Sequence, residues 1–339
     1  MTRGKNGSHL DLARLLRTKE RQDTLRWGPN YVPAIRAVRG EAPPRSGCGT
    51  LPSVSLQRDI HALSWPEKVA FSLALYAKPL EMHEQHVYYS TPTLNPLAFH
   101  SAYANLSWSK TDGTFALSEQ LGVARFHPKV WKPMSRLVDT GGEERFVDSP
   151  DGEWRIGFYV GDLMLYMRAA EAGGRPYIRP WEVKESQEDH GRPGGPAIRR
   201  HHGIEVERDE ARRLVCAAYA AQLGTTVAKF CLDDVPKSLR ASMVSLCRAQ
   251  SFDFTLPETA VVELVEAFNA GIGSDVPARA IARALLSSTD SLAQAKILLD
   301  HAVWQRKVRV DLFEPLQWDM PLLPEREDVL VRFHTLFAR

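Results

Sequence analysis

Near the middle of the chain the run RPYIRPWEVKESQED carries Glu182 and Lys184 two residues apart. At strand periodicity Trp181 and Val183 share one face and the two charges share the other. An acid and a lysine placed this way serve one of two ends. They form the wet face of a half-buried strand, or they form one wall of a metal-dependent active site. The elements that position them decide between the two.

The chain has 339 residues, a formal net charge of +2 and ordinary apolar and charged fractions of 44% and 25%. That length allows two or three domains with ample core. The near-neutral balance does not by itself announce a nucleic-acid partner, but the charge is uneven. The first 45 residues hold ten Lys/Arg against four Asp/Glu, as expected of a basic arm. The cysteines (Cys48, Cys216, Cys231 and Cys247) form no C-x-x-C pair, which argues against a zinc ribbon or redox motif and for reduced thiols. His83 and His86 are three apart without a companion ligand pair nearby. The start shows no signal peptide, and the chain has no 18-residue apolar span, so a soluble cytoplasmic protein is expected, without a membrane partner.

Residues 1–50 read as a flexible basic arm, with one short helix at LDLARLLRTKER. Ser64 as an N-cap and Pro66 in the first turn predict a helix over SWPEKVAFSLALYA. An amphipathic helix follows in GTFALSEQLGVARFHPKV, ending near Gly122 or running to about Phe126. Strands are expected in WKPMSRLVD, ERFVDSP, EWRIGFYVGDLMLYM and RPYIRPWEVKES, separated by Gly/Asp/Pro turns. QEDHGRPGGPAIRRHHG is too rich in Gly and Pro for regular structure. RDEARRLVCAAYAAQLG predicts a helix closed by Gly224, then a strand in TTVAKFCL and a helix in DVPKSLRASMVSLCRAQ. Past a boundary at 251–257, three helices are followed by KVRVDLFEPLQWDMPLL, which reads as a β-hairpin or wing. Three helices and a wing make the winged-helix order.

The order helix, strand, strand with Asp162, strand with Glu182 and Lys184, helix, strand resembles the PD-(D/E)XK nuclease core. Gly161-Asp162-Leu163 and Glu182-Val183-Lys184 carry the resemblance, with Gly161 where that family usually has proline. The implied fold is α/β, a restriction-endonuclease-like mixed sheet flanked by helices over 51–250, with a winged-helix-like domain over 251–339. In that family the acidic pair at neighbouring strand ends binds Mg²⁺, a hard cation that prefers carboxylates, water and phosphate oxygens; Mn²⁺ is expected to substitute. Asp162 and Glu182 are the implied ligands, and Lys184 would orient the nucleophile or offset developing charge. The family often adds a glutamate from the preceding helix. Between Glu84 and Asp139 the acidic residues are Asp112, in a turn signature, and Glu119, in a helix-like segment, so Glu119 is expected as the third metal ligand and catalytic residue.

LSEQLGVARFHPKVWKPMSRL is similar to a stretch of TnsA-type transposon endonucleases, through Phe126, Pro128 and Val130. His127 stands where that family has aspartate. The C-terminal run matches the family's closing pattern at Asp311, Leu312, Pro315, Leu316 and Leu322. Together these regions cover roughly residues 95–325. The resemblance implies a bacterial, nucleoid-associated DNA endonuclease subunit of a heteromeric transposase. It would nick the 5′ strand at transposon ends, partnered by a DDE-type transposase and an AAA+ ATPase regulator. Arg192, Arg199 and Arg200, in the loop after the active strand, are candidate phosphate contacts. A restriction or repair nuclease acting alone, and a non-catalytic DNA-binding assembly protein, are the competing expectations.

Overall fold

The computed structural model describes residues 12–43, 47–139, 144–169, 174–190 and 204–339, with residues 133–139, 144–151 and 204–206 described by their backbone alone. It is an α/β protein with a mixed sheet. The chain begins with α1 (Leu12–Gln22), the hairpin β1 (Gly49–Ser53) and β2 (Arg58–Ala62), α2 (Trp65–Tyr76) and β3 (Glu81–Glu84). Short strands β4 (Val87–Tyr88), β5 (Thr93–Leu94) and β6 (Lys110–Thr111) precede α3 (Thr114–Gln120). A long hairpin follows, β7 (Lys129–Asp139) and β8 (Glu144–Ile156). Next come β9 (Tyr159–Val160), β10 (Leu163–Met167), β11 (Tyr177–Lys184), α4 (Ile204–Gln222), β12 (Ala228–Cys231) and α5 (Lys237–Ala249). The C-terminal region holds α6 (Glu258–Gly271), α7 (Ala278–Leu285), α8 (Thr289–Trp304), α9 (Val329–Arg332) and α10 (His334–Phe337).

The central sheet runs β12-β11-β10-β3. β10 is antiparallel to both β3 and β11, whereas β12 is parallel to β11. A parallel neighbour needs a crossover connection, and α4 supplies it. All five residues of β10 are buried, because both faces of the sheet are covered. Leu163, Leu165 and Met167 enter the core that holds α2 and α5, while Met164 and Tyr166 pack with Val215 and Tyr219 of α4.

The helices form where their sequence signals put them. Ser64 Oγ accepts from the Glu67 N–H at 3.3 Å, an N-cap worth about 0.5–2 kcal/mol. From Val69 to Tyr76 every residue of α2 is buried, so this helix is a core element rather than an amphipathic cover. Gly224, with φ +76°, follows α4 in the left-handed conformation that closes helices. On β11 the aromatic face is core, as its alternation predicts. Trp181 stacks parallel to Phe230 at 6.1 Å between centroids, and truncating such a buried tryptophan costs about 3–5 kcal/mol.

Two expectations change. The N-terminal segment, read as a flexible arm, is folded against the sheet from residue 12 onward. Tyr31 Oη donates to the Glu84 carbonyl at 2.7 Å, the Ala34 N–H donates to the Gln85 carbonyl at 3.2 Å, and the Tyr31 ring stacks on His83 at 3.9 Å. Arg21 and Arg36 both bind Glu41, so part of the basic excess is spent internally. The expected wing is also replaced. Among the described residues no strand follows α8. Its place is taken by an irregular segment held by the isolated bridges Pro277–Pro321 and Val310–Pro324 and by the Asp311 N–H bond to the Leu323 carbonyl. Pro315, Pro321 and Pro324 cannot donate to a ladder, which explains why an alternating apolar run fails to pair as a hairpin. The three helices before it are present as expected. They are not a separate domain, because Leu264, Phe268, Leu298 and Leu299 belong to the same core as Leu163 and Trp181.

Candidate active site

Leu163 pairs with Trp181, so Asp162, one residue outside β10, falls opposite Glu182. Opposed residues of antiparallel strands share a face. Asp162, Glu182 and Arg212 accordingly line one cavity of about 450 Å³. Asp162 is fixed on one side by the Val183 N–H, which donates to its Oδ2 at 2.8 Å. Lys184 Nζ lies 3.4 Å from Glu182 Oε1, and His190 Nδ1 lies 3.5 Å from Glu182 Oε2. The other nitrogen of His190 is 3.1 Å from the Phe230 carbonyl, so the ring bridges the candidate site to β12.

Electrostatics favour the charged form of Glu182. Burial opposes ionisation of Glu182, but Lys184, Arg212 and His190 together outweigh it and hold the carboxyl below its ordinary value. Arg212, from α4, donates to the Val160 carbonyl at 3.0 Å. Burial works against its charge, and Cys216, Asp162 and Glu182 more than offset that.

The third carboxylate is where the sequence reading and the structure part. Glu119 is exposed on α3, which turns Thr114, Leu117 and Ser118 inward at helical spacing and Glu119 outward. It does not line the Asp162–Glu182 cavity. Glu67, from the first turn of α2, does not line that cavity either, but it is the carboxylate whose charge Asp162 opposes. Its Oε2 accepts from the Leu63 N–H at 2.6 Å and from Gln85 Nε2 at 3.3 Å, and the Gln85 N–H donates to the Asp162 carbonyl at 3.0 Å. Gln85, held at φ +49°, thereby joins Glu67 to Asp162 where the β3–β10 ladder is interrupted. Burial, then repulsion from Asp162, pushes the Glu67 carboxyl up to about 8, although the Leu63 N–H, Ser64 and Lys184 all pull it down.

Ser64-Trp65-Pro66-Glu67 has the S-x-x-E form of a capping box, which was the available signal for Glu67. Gln85 and Arg212 carried no motif. Arg192, Arg199 and Arg200 lie outside the described residues. No family model matches the chain, and no curated protein matches it.

Among the described residues no three His, Cys, Asp or Glu side chains are already gathered as a metal cage. Mg²⁺ does not need one, since it keeps several waters and is commonly bound through one or two carboxylates together with substrate phosphate. Asp162 and Glu182 on one face of one cavity fit that donor set. Glu67, whose charge is opposed by Asp162, fits a position that a divalent cation would relieve.

Proposed function

We propose that this chain is a Mg²⁺-dependent DNA endonuclease with a PD-(D/E)XK core. The observation that carries this reading is the register that sets Asp162 against Glu182, with Lys184 beside them, on a sheet whose outer strand β12 is parallel and whose other three strands are antiparallel. α2, β3, β10, β11, α4 and β12 follow one another in the helix-strand-strand-strand-helix-strand order of that core. Asp162 and Glu182, with Glu67 as the third carboxylate, would hold the metal. When bound, Mg²⁺ supplies an activated water and charge stabilisation at phosphorus.

The chain's own groups account for the rest. Lys184, beside Glu182, is placed to orient the attacking water and to offset negative charge developing on the phosphate. Arg212 presents a second cation across the cavity. The Val183 N–H and Gln85 hold Asp162 by its side chain and its carbonyl, so the carboxylate is fixed before substrate arrives.

The finer role, a subunit of a heteromeric transposase that nicks the 5′ strand at transposon ends, rests on the resemblance to TnsA-type endonucleases. The test is strand cleavage at transposon ends by the chain reconstituted with a DDE-type transposase and an AAA+ regulator. Asp162→Asn and Glu182→Gln should abolish the 5′ nick, and Lys184→Met should slow it about 10²–10³-fold. Cleavage at the wild-type rate in either carboxylate variant would overturn the assignment. Efficient cutting by the wild-type chain without partners would make it a standalone nuclease instead.

A further inference from the structure

A second concavity, of about 680 Å³, lies beside the candidate active site and shares Arg212 with its lining. Its other cations are Arg14 from α1, Arg125, Lys129 at the start of β7, and Arg208 from α4; Asp209 also lines it, and Arg125 carries an exposed ion pair with Glu207 at 2.9 Å that a phosphate would exchange. Gln85, which links Glu67 to Asp162, also lines it. The cleft therefore runs from the folded N-terminal segment to the groups that surround the carboxylates. Its charge is of the sign a polyphosphate backbone requires.

The same cleft is aromatic. Phe126, Trp154, Phe158 and Tyr159 contribute to its wall. Trp154 sits on β8 opposite Trp131 of β7, with the two rings edge to face at 5.3 Å and 57% and 39% exposed. A Cβ on Gly152 would lie 2.7 Å from the Trp131 ring, so that glycine gives the indole its place across the hairpin. Lys129, Trp131, Trp154 and Ile156 alternate onto one face of the hairpin, and all are exposed. The exposed part of these two indoles is apolar surface beside the cations, which a stacked ligand would bury.

We infer that this cleft binds an unpaired DNA strand, its bases stacked on Trp154 and Trp131 and its phosphates on Arg125, Lys129 and Arg208, leading the backbone past Arg212 to the carboxylates. Duplex DNA offers phosphates to the cations but no base faces to the indoles, whereas a single strand uses both. An acidic peptide would use the cations alone. The inference rests on the nuclease reading for its direction toward Asp162, and it names the substrate as DNA with an unpaired strand next to the scissile phosphate.

The experiment measures binding of the full-length chain in EDTA, so that cleavage plays no part. The probe is an oligothymidylate of about 12 nucleotides, within the site sizes of aromatic single-strand grooves. A duplex of equal length and polyglutamate serve as competitors. The oligothymidylate should quench tryptophan fluorescence and bind more tightly than the duplex. Trp154→Ala should weaken it about tenfold while leaving duplex binding unchanged, and Trp154→Phe, which keeps a stacking ring, should restore most of the loss. Arg125→Ala with Lys129→Ala should flatten the salt dependence by about 1.4 in log–log slope, at about 0.7 per lost phosphate contact. Circular dichroism checks that each variant is folded, and Trp131→Ala supplies an independent variant on the other strand. Equal binding of the duplex with no dependence on either tryptophan, full displacement by polyglutamate, or no binding would each overturn the inference. If strand binding holds but no DNA is cut with Mg²⁺ and partners, the nuclease reading fails and the cleft stands. If cutting of a substrate with an unpaired strand is untouched by Trp154→Ala and Trp131→Ala, the reverse is true.

Discussion

Glu67→Gln should stabilise the metal-free protein and, on the proposed nuclease reading, abolish Mg²⁺-dependent cutting. The Glu67 carboxyl titrates near 8 in the folded chain against an ordinary 4.5, chiefly because it is buried and secondarily because Asp162 is close. A carboxyl raised on folding favours the folded state fully below its unfolded value, and that advantage is lost as pH climbs through the folded one. Relative to a neutral amide, the ionisable side chain therefore costs nothing in acid. At about 1.4 kcal/mol per pH unit, the cost reaches about 1 kcal/mol at pH 5, about 3 kcal/mol at pH 7 and about 5 kcal/mol at pH 9. These figures are ceilings, because partial exposure screens the charge. The glutamine oxygen can still accept from the Leu63 N–H and from Gln85, so the substitution removes charge without opening a void. Urea unfolding of both proteins at the three pH values, followed by circular dichroism in EDTA, measures the difference. A gain that grows with pH, coupled to loss of Mg²⁺-dependent nicking, is the expected pairing of a strained functional group. A variant no more stable than wild type at pH 9, or one that still nicks at full rate, would refute the reasoning.

Three further substitutions probe the frame round the site. Gly161→Ala puts a Cβ 2.6 Å from the Tyr88 ring and should cost about 1–3 kcal/mol by overpacking, read from the urea midpoint. Asp300 on α8 is pushed up to about 6 by burial against the opposing pull of Lys296. Its carboxylate thus loses stability for the fold as pH rises from about 4 through 6, and Asp300→Asn should gain at most about 3 kcal/mol at pH 8 and nothing at about pH 2. Arg179 donates to the carbonyls of Thr226, Thr335 and Leu336, so Arg179→Ala should cost about 1–3 kcal/mol by removing the bonds that tie the C-terminal segment to β11, with faster proteolysis near residue 335 as its local signature.

Much of this fold was written in local chemistry. Ser64 and Pro66 mark the start of α2, Gly224 marks the end of α4, and the alternation of Trp181, Glu182, Val183 and Lys184 already assigns a core face and a charged face. Glu67 was not legible as a site residue because its spacing from Ser64 already has a structural use at a helix start. Its nearness to Asp162 depends on tertiary packing across a long excursion, residues 85–161, which includes the β7–β8 hairpin and α3. A search for the nearest upstream helix meets α3 first, although α2 is the helix that lies against β11. The wing failed for another reason. Apolar alternation at Val308, Val310 and Leu312 reflects burial in the common core, and burial at period two does not require a strand partner. Arg212 and Gln85 were silent because a lone arginine on a helix and a glutamine after a strand carry no spacing rule.

The hydrophobic core that runs without interruption from the sheet into α6, α7 and α8 has a consequence for how the molecule can be handled. It leaves no seam. Phe254 and Leu256, in the segment that looks like a linker, pack against the same apolar mass. A fusion junction, a recombination breakpoint or a protease cut at 251–257 would split one folding unit rather than separate two. The carbonyls of Leu336 and Phe337 accept from Trp181 and Tyr177, on the strand that carries Glu182. A protein that takes hold of the helical end holds β11 through these two side chains, by a stiff lever rather than a tether.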